Sequence, residues 1–226
     1  MWIVIAAAGV ILLLYWLLVA TEGTYLGSGI VALLYDWTAK HYDAIKDQQY
    51  VSELRFLGLP LIAGLDHVPS PRVLDVATGT GRVPLLLLAQ TDFRGWVVGV
   101  DRSLRMMAQA QVSAEQYNGR VIFMRQDAAA LAFGGEAFDC VTCLEALEFM
   151  PNPATVLREM VRVLKPGGLL LLSNRVGKDA WLFPARLCGR GKLEGRLRQL
   201  GLEKVTTQRW QTHYDLVWTH KRSGND

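Results

Sequence analysis

The sequence predicts an α/β protein: a doubly wound, mostly parallel sheet of seven strands with an antiparallel last strand, preceded by an N-terminal transmembrane helix. Three observations support this. The chain has 226 residues, enough for one domain and a short appendage. Nineteen of the first 20 residues are apolar, whereas the whole chain is 51% hydrophobic. From Arg72 onward, short apolar runs alternate with longer helical ones, as in sheets covered by helices on both faces.

Composition excludes several broad classes of protein. With 20% charged residues and an ordinary apolar content, the chain is neither disordered nor a disulfide scaffold. The net charge of +3 gives no global reason to expect binding to nucleic acid. Three cysteines are too few and too unevenly spaced for a disulfide framework, which suggests a reducing compartment such as the cytosol.

Residues 1–20 predict a membrane anchor. They carry no charged residue, and a helix of this length would measure about 30 Å, the thickness of a bilayer core. A cleaved signal peptide fits less well, because no basic residue precedes the apolar run and the run is too long. The glycine-rich residues 21–29 read as a flexible tether, and the folded domain is expected to cover residues 30–226.

The domain is expected to begin with two helices, in residues 30–46 and 48–64, where apolar residues recur at helical spacing. Seven strands follow, at RVLDV, WVVGV, VIFM, FDCVTC, GLLLLSN, EKVTTQRW and YDLVWTHK. Helices are expected at RVPLLLLAQ, SLRMMAQAQ, ATVLREMVRVL and KLEGRLRQL. Pro166 to Gly168 are expected to end the preceding helix just before the fifth strand. The last two strands are expected to form an antiparallel hairpin.

A ligand site is expected where the first strand ends. The turn after Asp75 contains Gly79 and Gly81, which leave room for a ligand near the backbone, and a helix begins near Arg82. The second strand ends at Asp101, where a carboxylate can accept hydrogen bonds from ribose hydroxyls. Pro84 stands at the third glycine of a dinucleotide fingerprint, which weakens that interpretation, and a Gly-Lys-Ser/Thr phosphate loop is absent.

Four motifs, in the usual order, resemble the class I S-adenosylmethionine-dependent methyltransferases, particularly the ubiquinone and menaquinone biosynthesis group. VLDVATGTGR resembles their first motif, GVDRS the acidic ribose motif and RQDAAALAF the adenine motif. The stretch from FDCVTCLEALEF through KPGGLLLLSN resembles their fourth and fifth strands. The resemblance runs from about Tyr35 to Lys221 and implies a Rossmann-like fold and S-adenosylmethionine as cofactor.

The resemblance also implies which residues hold the cofactor. Asp75, Gly79 and Gly81 would shape the methionine side, Asp101 would hold the ribose, and Asp127 would accept from the adenine amino group. The complete implied cofactor set is Tyr42, Asp75, Ala77, Thr78, Gly79, Gly81, Asp101, Arg102, Met106, Asp127, Ala128 and Leu144. The chain departs from the family pattern where Ala77 replaces the commonest first glycine and Phe149 replaces a histidine that many relatives carry.

The chemistry requires few catalytic groups. A sulfonium is already a strong methyl donor, so alignment in a dry pocket supplies much of the acceleration, and a base is needed only if the acceptor loses a proton. The candidates for that base are Glu145, Glu148, His41 and His213. No metal site is expected, because the histidines are scattered and Cys140 and Cys143 would face opposite sides of one strand.

The acceptor is expected to be a small lipophilic molecule, such as a quinone precursor or a phospholipid headgroup. Residues 175–198 combine seven basic residues with aromatic and aliphatic bulk, which suits a membrane surface, although a solvated loop explains them equally well. No nucleic acid partner is expected. Because S-adenosylmethionine is made in the cytosol, the expectation is a single-pass membrane protein whose domain faces the cytoplasm.

Two other functions remain open at this point. A nicotinamide-dependent oxidoreductase would use the same kind of sheet, although Pro84 disfavours it. A catalytically silent, cofactor-binding membrane scaffold is also compatible with the sequence, because methyl transfer requires no obligatory catalytic residue.

Overall fold

The computed structural model describes residues 2–27, 29–31, 33–34, 46–117 and 119–224. The strands are β1 (Arg72–Val76), β2 (Trp96–Asp101), β3 (Val121–Arg125), β4 (Phe138–Cys143), β5 (Leu164–Arg175), β6 (Leu202–Arg209) and β7 (Tyr214–Lys221). The α-helices with complete bounds are α1 (Trp2–Tyr15), α2 (Lys46–Glu53), α3 (Leu59–Gly64), α4 (Arg82–Leu88), α5 (Leu104–Ser113), α6 (Pro153–Val163) and α7 (Lys192–Gln199). These elements form one α/β domain preceded by an apolar helix.

The seven strands form one sheet in the order β3-β2-β1-β4-β5-β7-β6. The first five strands are parallel to one another, and β7 runs antiparallel to both β5 and β6. This confirms the Rossmann-like doubly wound sheet, its seven strands, the final hairpin and the antiparallel last strand. The strand order reverses between β1 and β4, and in such sheets a ligand binds beyond the carboxyl ends of the strands at that point.

Helices cover both faces of the sheet because the central strands are apolar on both sides. On one face, Leu74 and Val141 pack with residues of α6 and α7. On the other face, Val73 and Cys140 pack with residues of α3 and α4. The sheet thus separates two close-packed clusters of buried residues, and its strands are packed from both sides.

Strand β5 begins earlier in the chain than the sequence suggests. The helix ends at Val163, and β5 already starts at Leu164, before Pro166. The pairing of β4 with β5 shifts register between Phe138 and Cys140, and Gly167 takes up the irregularity with a φ of +76°. Pro166, Gly167 and Gly168 therefore mark a bulge inside β5 and not the start of the strand.

The expected transmembrane helix over residues 1–20 requires correction. The α-helix α1 covers 14 residues, about 21 Å at the usual rise per residue, and a π-helical turn, Trp16–Ala20, follows it. Within the part of the chain that the structure describes, no helix combines the length and the apolar character that a membrane crossing requires.

The segment after this turn differs from the predicted flexible tether. Thr21 and Thr24 are buried, and Thr24–Leu26 form a short 3-10 turn. The hydroxyl of Tyr25 donates a hydrogen bond of 3.0 Å to the carbonyl of Pro184. The glycines in this stretch therefore shape a packed turn, with Gly23 and Gly27 at positive φ, instead of providing freedom of movement.

Candidate functional site

A cleft of about 300 Å³ lies at the carboxyl ends of β1, β2 and β4, where the sheet topology predicts a ligand. Nine of the twelve expected cofactor residues line it, namely Ala77, Thr78, Gly79, Asp101, Arg102, Met106, Asp127, Ala128 and Leu144. Asp75 and Gly81 lie behind its wall. Tyr42 and the base candidate His41 lie outside the described residues.

The turn after β1 forms the floor of the cleft. Ala77, Gly79 and Gly81 all have positive φ values, of 57°, 55° and 84°. A Cβ atom on Gly79 would meet nothing within 4 Å, so its backbone faces open space, whereas one on Gly81 would approach the Phe123 ring at 3.2 Å. Gly79 therefore leaves the backbone accessible to a ligand, and Gly81 allows close packing of the turn on the sheet. Ala77 adopts the left-handed conformation despite its Cβ, a strain typical of functional turns.

Asp75 supports this turn from below. Its two carboxylate oxygens accept hydrogen bonds from Thr78 Oγ1 at 2.7 Å and from Thr142 Oγ1 at 2.6 Å. Burial raises the pKa of Asp75 to about 6, although both hydroxyl donors oppose that shift. Asp75 therefore shapes the cleft indirectly, by fixing Thr78.

Asp101 links the ends of β1 and β2. One of its oxygens accepts from the Gly79 backbone N–H and the other from the Ser103 backbone N–H, both at 2.9 Å. Asp101 lines the cleft, and each oxygen of a carboxylate can accept more than one hydrogen bond. This arrangement suits the hydroxyls of a ribose, the role that the sequence resemblance implies.

The third acidic residue, Asp127, lies at the opposite end of the cleft from the β1 turn. Its Oδ2 accepts from Arg102 Nη1 at 3.0 Å, and its Oδ1 accepts from the Ala129 backbone N–H at 2.9 Å. Met106 is buried beside it in the first turn of α5, which Ser103 caps. With Ala128, Met106 offers apolar contact to a flat ring between the carboxylates at residues 101 and 127. These residues fit an adenosine moiety.

The structure also surrounds Glu145, one of the base candidates from the sequence, with polar partners that the sequence did not indicate. Glu145, one residue beyond Leu144, lines the cleft, and its Oε1 accepts from Arg82 Nη1 at 2.9 Å and from Gln211 Nε2 at 3.2 Å. Arg82 also contacts Glu53 Oε1 at 3.5 Å and lies 5.4 Å from the Trp210 ring centroid. Arg82 follows Gly81 directly, which is the one sequence signal that could have identified it as a site residue.

The two other base candidates among the described residues, Glu148 and His213, do not line the cleft. Glu148 is 2% exposed, accepts from Tyr214 Oη and pairs with Arg175 at 3.2 Å. Burial raises the pKa of Glu148. His213 pairs with Asp179 at 2.9 Å. Of the two glutamates and His213, only Glu145 is in reach of a ligand in the cleft.

Apolar residues complete the wall of the cleft. Phe149, at the position where many relatives carry histidine, lines it together with Met150 and Pro151. Val31 also lines it, and no sequence pattern identified it. Among the described residues, no group of three or more histidine, cysteine or acidic side chains is arranged to hold a metal ion. Cys140 and Cys143 pack into the cores on opposite faces of the sheet, as the strand pattern predicts.

Comparison with known proteins adds independent support. Residues 73–168 match a family model described as a methyltransferase domain. The 2-phytyl-1,4-naphtoquinone methyltransferase of Synechococcus elongatus is 32% identical over 167 residues, which cover 67% of this chain and 72% of that protein. The demethylmenaquinone methyltransferase of Lactiplantibacillus plantarum is 33% identical, covering 61% of this chain and 59% of that protein.

Solved structures show the same fold at lower sequence identity. A methyltransferase from Aquifex aeolicus has a TM-score of 0.61 at 18% identity, covering 79% of this chain and 97% of that one. The cyclase SpnF has a TM-score of 0.63 at 24% identity, covering 73% of this chain and 80% of that one. Because a cyclase shares the fold, structural likeness alone does not establish methyl transfer.

The relatives identified by sequence decide between the open alternatives. These relatives are methyltransferases, and the similarity to them covers most of the domain. The residues that line the cleft belong to the motifs that resemble those of methyltransferases, and these motifs occur in the usual order. The nicotinamide oxidoreductase and the catalytically silent scaffold are therefore set aside. The chain belongs to the S-adenosylmethionine-dependent methyltransferases, in the group of the ubiquinone and menaquinone biosynthesis enzymes, and S-adenosylmethionine is its cofactor.

Proposed function

We propose that the protein methylates a quinone-type acceptor dissolved in a membrane, with its catalytic domain on the cytoplasmic side. The observation that carries the proposal is the composition of the cleft wall beyond the adenosine residues. There the apolar side chains of Phe149, Met150 and Pro151 accompany one anchored carboxylate, Glu145. An apolar wall with a single acid–base group suits a lipophilic ring that carries an ionisable hydroxyl.

The cofactor and the chain divide the chemistry between them. Bound S-adenosylmethionine supplies a methyl group on a positively charged sulfur. The turn at residues 77–79 and Asp101 orient the adenosine side, and the apolar wall excludes water from the reacting atoms. The methyl group would pass to the acceptor as its bond to sulfur breaks, and the sulfur would keep that bond's electron pair in the S-adenosylhomocysteine that leaves.

Glu145 is the group that takes the acceptor's proton in this mechanism. Arg82 and Gln211 fix its Oε1, and its own backbone N–H donates to Ser173 Oγ, so the carboxylate is held in one place. The proton passes from the acceptor to Glu145 and then to solvent, which balances the positive charge lost when the sulfonium becomes a thioether.

The acceptor class is tested with purified full-length protein and S-adenosylmethionine. The acceptors are a short-tailed naphthoquinol in solution, a long-tailed naphthoquinol in vesicles, and phosphatidylethanolamine vesicles. We expect mass spectrometry to detect the gain of one CH₂ on the quinols only. Methylation of the lipid headgroup, or the absence of any quinol product, would overturn the assignment.

Membrane attachment is proposed from the surface of α1. The four consecutive residues Val10, Ile11, Leu12 and Leu13 are 56%, 65%, 68% and 53% exposed. Four consecutive helical positions point in four directions, so no single protein groove would cover them, whereas lipid chains contact every side of a helix end that enters a bilayer without crossing it. We therefore expect α1 to insert into a bilayer.

The side of the membrane follows from the cofactor, because S-adenosylmethionine is made in the cytosol. Protease added to the outside of sealed, right-side-out vesicles should leave the domain intact, and permeabilised vesicles should allow digestion. Digestion of the domain from outside the sealed vesicles would reject the proposed orientation.

A further inference from the structure

The chain between the apolar helix and the domain forms a packed strap, which we define as residues 21–26. Thr21 Oγ1 donates to the carbonyls of Trp16 and Leu17, at 2.9 and 3.1 Å, so the strap closes the end of the helical segment. The rings of Trp16 and Tyr25 stack with their centroids 4.9 Å apart. The helical segment and the strap are therefore joined by side-chain contacts as well as by the chain.

One guanidinium group fastens the strap to the domain. Arg186 Nη2 donates to the carbonyl of Thr24 at 3.4 Å, and Arg186 Nη1 donates to the carbonyls of Met150, at 2.7 Å, and Pro151. The same guanidinium lies 5.1 Å from the ring centroid of Tyr25. Because the donors of arginine form a rigid fork, one side chain can bridge these two backbone segments in a fixed geometry.

The far side of this bridge is the cofactor cleft. Met150 and Pro151 both line the cleft. Val31, which follows the strap by five residues, also lines it and packs against the buried cluster of Phe149 and Phe183. The apolar helix is thus attached directly to the rim of the cleft and not to a remote surface of the domain.

The surface around the bridge also suits a lipid headgroup region. Trp181, in the same loop as Arg186, is 88% exposed, and Lys178, in the same short 3-10 segment as Trp181, is exposed as well. Arg175, which also belongs to the predicted membrane-binding stretch, instead faces inward and pairs with buried Glu148. An exposed indole with an exposed lysine three residues away in the chain is complementary to the interface of an anionic membrane.

We propose that Arg186 holds the rim of the cleft against the membrane in which α1 is inserted, so that the acceptor passes from the lipid directly into the cleft. This inference rests on the proposed function, because it assigns a route to the same membrane-dissolved acceptor. Arg186 acts here as a positioning residue and makes no contact with the reacting atoms.

The test compares two arginine-to-lysine variants of the full chain in anionic vesicles. Arg186→Lys keeps the charge but loses the fork that spans the strap and the rim, whereas Arg198→Lys makes the same change at an exposed site. We expect both variants to float with vesicles and to bind S-adenosylhomocysteine normally. The ratio of rates on long-tailed quinol in vesicles to short-tailed quinol in solution should fall about 10-fold for Arg186→Lys alone.

A second measurement does not depend on methylation. Lys178→Cys provides a site for a fluorescent label, and labelling is selective because the three native cysteines are buried. We expect brominated lipids to quench this label in the otherwise native chain and in Arg198→Lys, and to quench it much less in Arg186→Lys. If the native chain methylates neither quinol, the proposed function fails while quenching still decides the role of Arg186. Equal quenching in the two variants, or a rate ratio that falls in neither or in both, would overturn the inference.

Discussion

Glu145 lines the cleft two residues after β4 ends, and its backbone has a left-handed conformation with a φ of 51°. A residue with a side chain adopts this conformation at a cost, which the surroundings must offset. Here the offset comes from contacts with Arg82, Gln211 and Ser173 that also aim the carboxylate. Strain and anchoring at one residue of a cleft indicate a positioned functional group.

Glu145→Gln tests the assignment of the base. The amide keeps the shape of the side chain but does not take up a proton, so we expect kcat to fall about 100-fold, within the usual range for loss of a general base. The affinity for S-adenosylhomocysteine, measured by calorimetry, should stay within about threefold, because the adenosine contacts lie elsewhere. A kcat close to that of the native enzyme would show that the acceptor needs no base at this position.

Asp75 should make the stability of the protein depend on pH. Its ordinary pKa is 3.8, and burial raises the folded value to about 6. The folded state thus binds a proton that the unfolded chain has already released. The stability from this group is therefore complete below about pH 4 and is lost as the pH rises through about 6, with a difference of about 3 kcal/mol.

Asp75→Asn isolates this contribution, because asparagine does not titrate. We expect the free energy of unfolding of the native chain, minus that of the variant, to be greater at pH 4 than at pH 7. Urea denaturation at both pH values measures it, and the subtraction removes the titration of every other group. A difference that is constant between the two pH values would contradict the raised pKa of Asp75.

At the scale of elements, one arginine joins three parts of the fold. Arg175 ends β5, pairs with Glu148 and donates from Nε to Tyr214 Oη at 3.0 Å. Its guanidinium carbon also lies 4.6 Å from the ring centroid of Phe183 and 5.5 Å from that of Phe149. The loop that carries Phe183 and the cleft residue Phe149 are thus fixed on the same cation.

Arg175→Met should destabilise the fold by about 3 kcal/mol, because it leaves Glu148 buried without its cation. Adding Glu148→Leu should recover part of that loss, since the pair of apolar residues removes the buried charge. Urea denaturation of both variants measures this. If the double variant is less stable than the single one, the hydrogen bond from Tyr214 to Glu148 contributes more than the ion pair does.

The elements that the sequence predicts well are those whose signal is local. Strands β2 and β5 contain continuous apolar runs, and the hairpin of β6 and β7 shows two alternating runs around a turn. The bulge around Gly167 was missed, because its position depends on the register of β5 against β4. Proline and glycine residues such as Pro166 and Gly167 show that the chain bends, but they do not show whether the pairing of the strand with its neighbour stops there.

The residues of the site also fall into those that local sequence predicts and those that depend on the tertiary structure. The acidic residues at strand ends, Asp101 and Asp127, follow from motif and topology, because parallel strands end at one edge of the sheet. The grouping of Arg82, Glu145 and Gln211 could not be predicted, because it joins residues from three distant parts of the chain. Glu145 and Glu148 also look alike in sequence, and only the geometry separates the cleft residue from the buried one.

At the scale of the whole molecule, the sequence separates an apolar N-terminal segment from an ordinary domain, and the structure joins them. The strap lies within the glycine-rich residues 21–29, whose composition suggests free movement, yet Thr24 is buried and Tyr25 contacts the loop at Pro184. This packing depends on a loop 159 residues away in sequence. Composition alone therefore could not show that the helix and the cleft are connected.

Ile11→Lys tests whether α1 inserts into lipid. Ile11 is 65% exposed, so the substitution removes little packing within the protein, but a charge within the bilayer core costs about 2.5–3.5 kcal/mol. We therefore expect the partition coefficient into vesicles, measured by flotation, to fall about 100-fold, with thermal stability and S-adenosylhomocysteine binding unchanged. Val112→Lys is the matched control, because Val112 is 69% exposed on α5 and gains the same charge away from the helix. Equal partitioning of the two variants would mean that α1 does not enter the apolar core of the bilayer. Only in that core would a lysine on α1 weaken partitioning more than a lysine on α5.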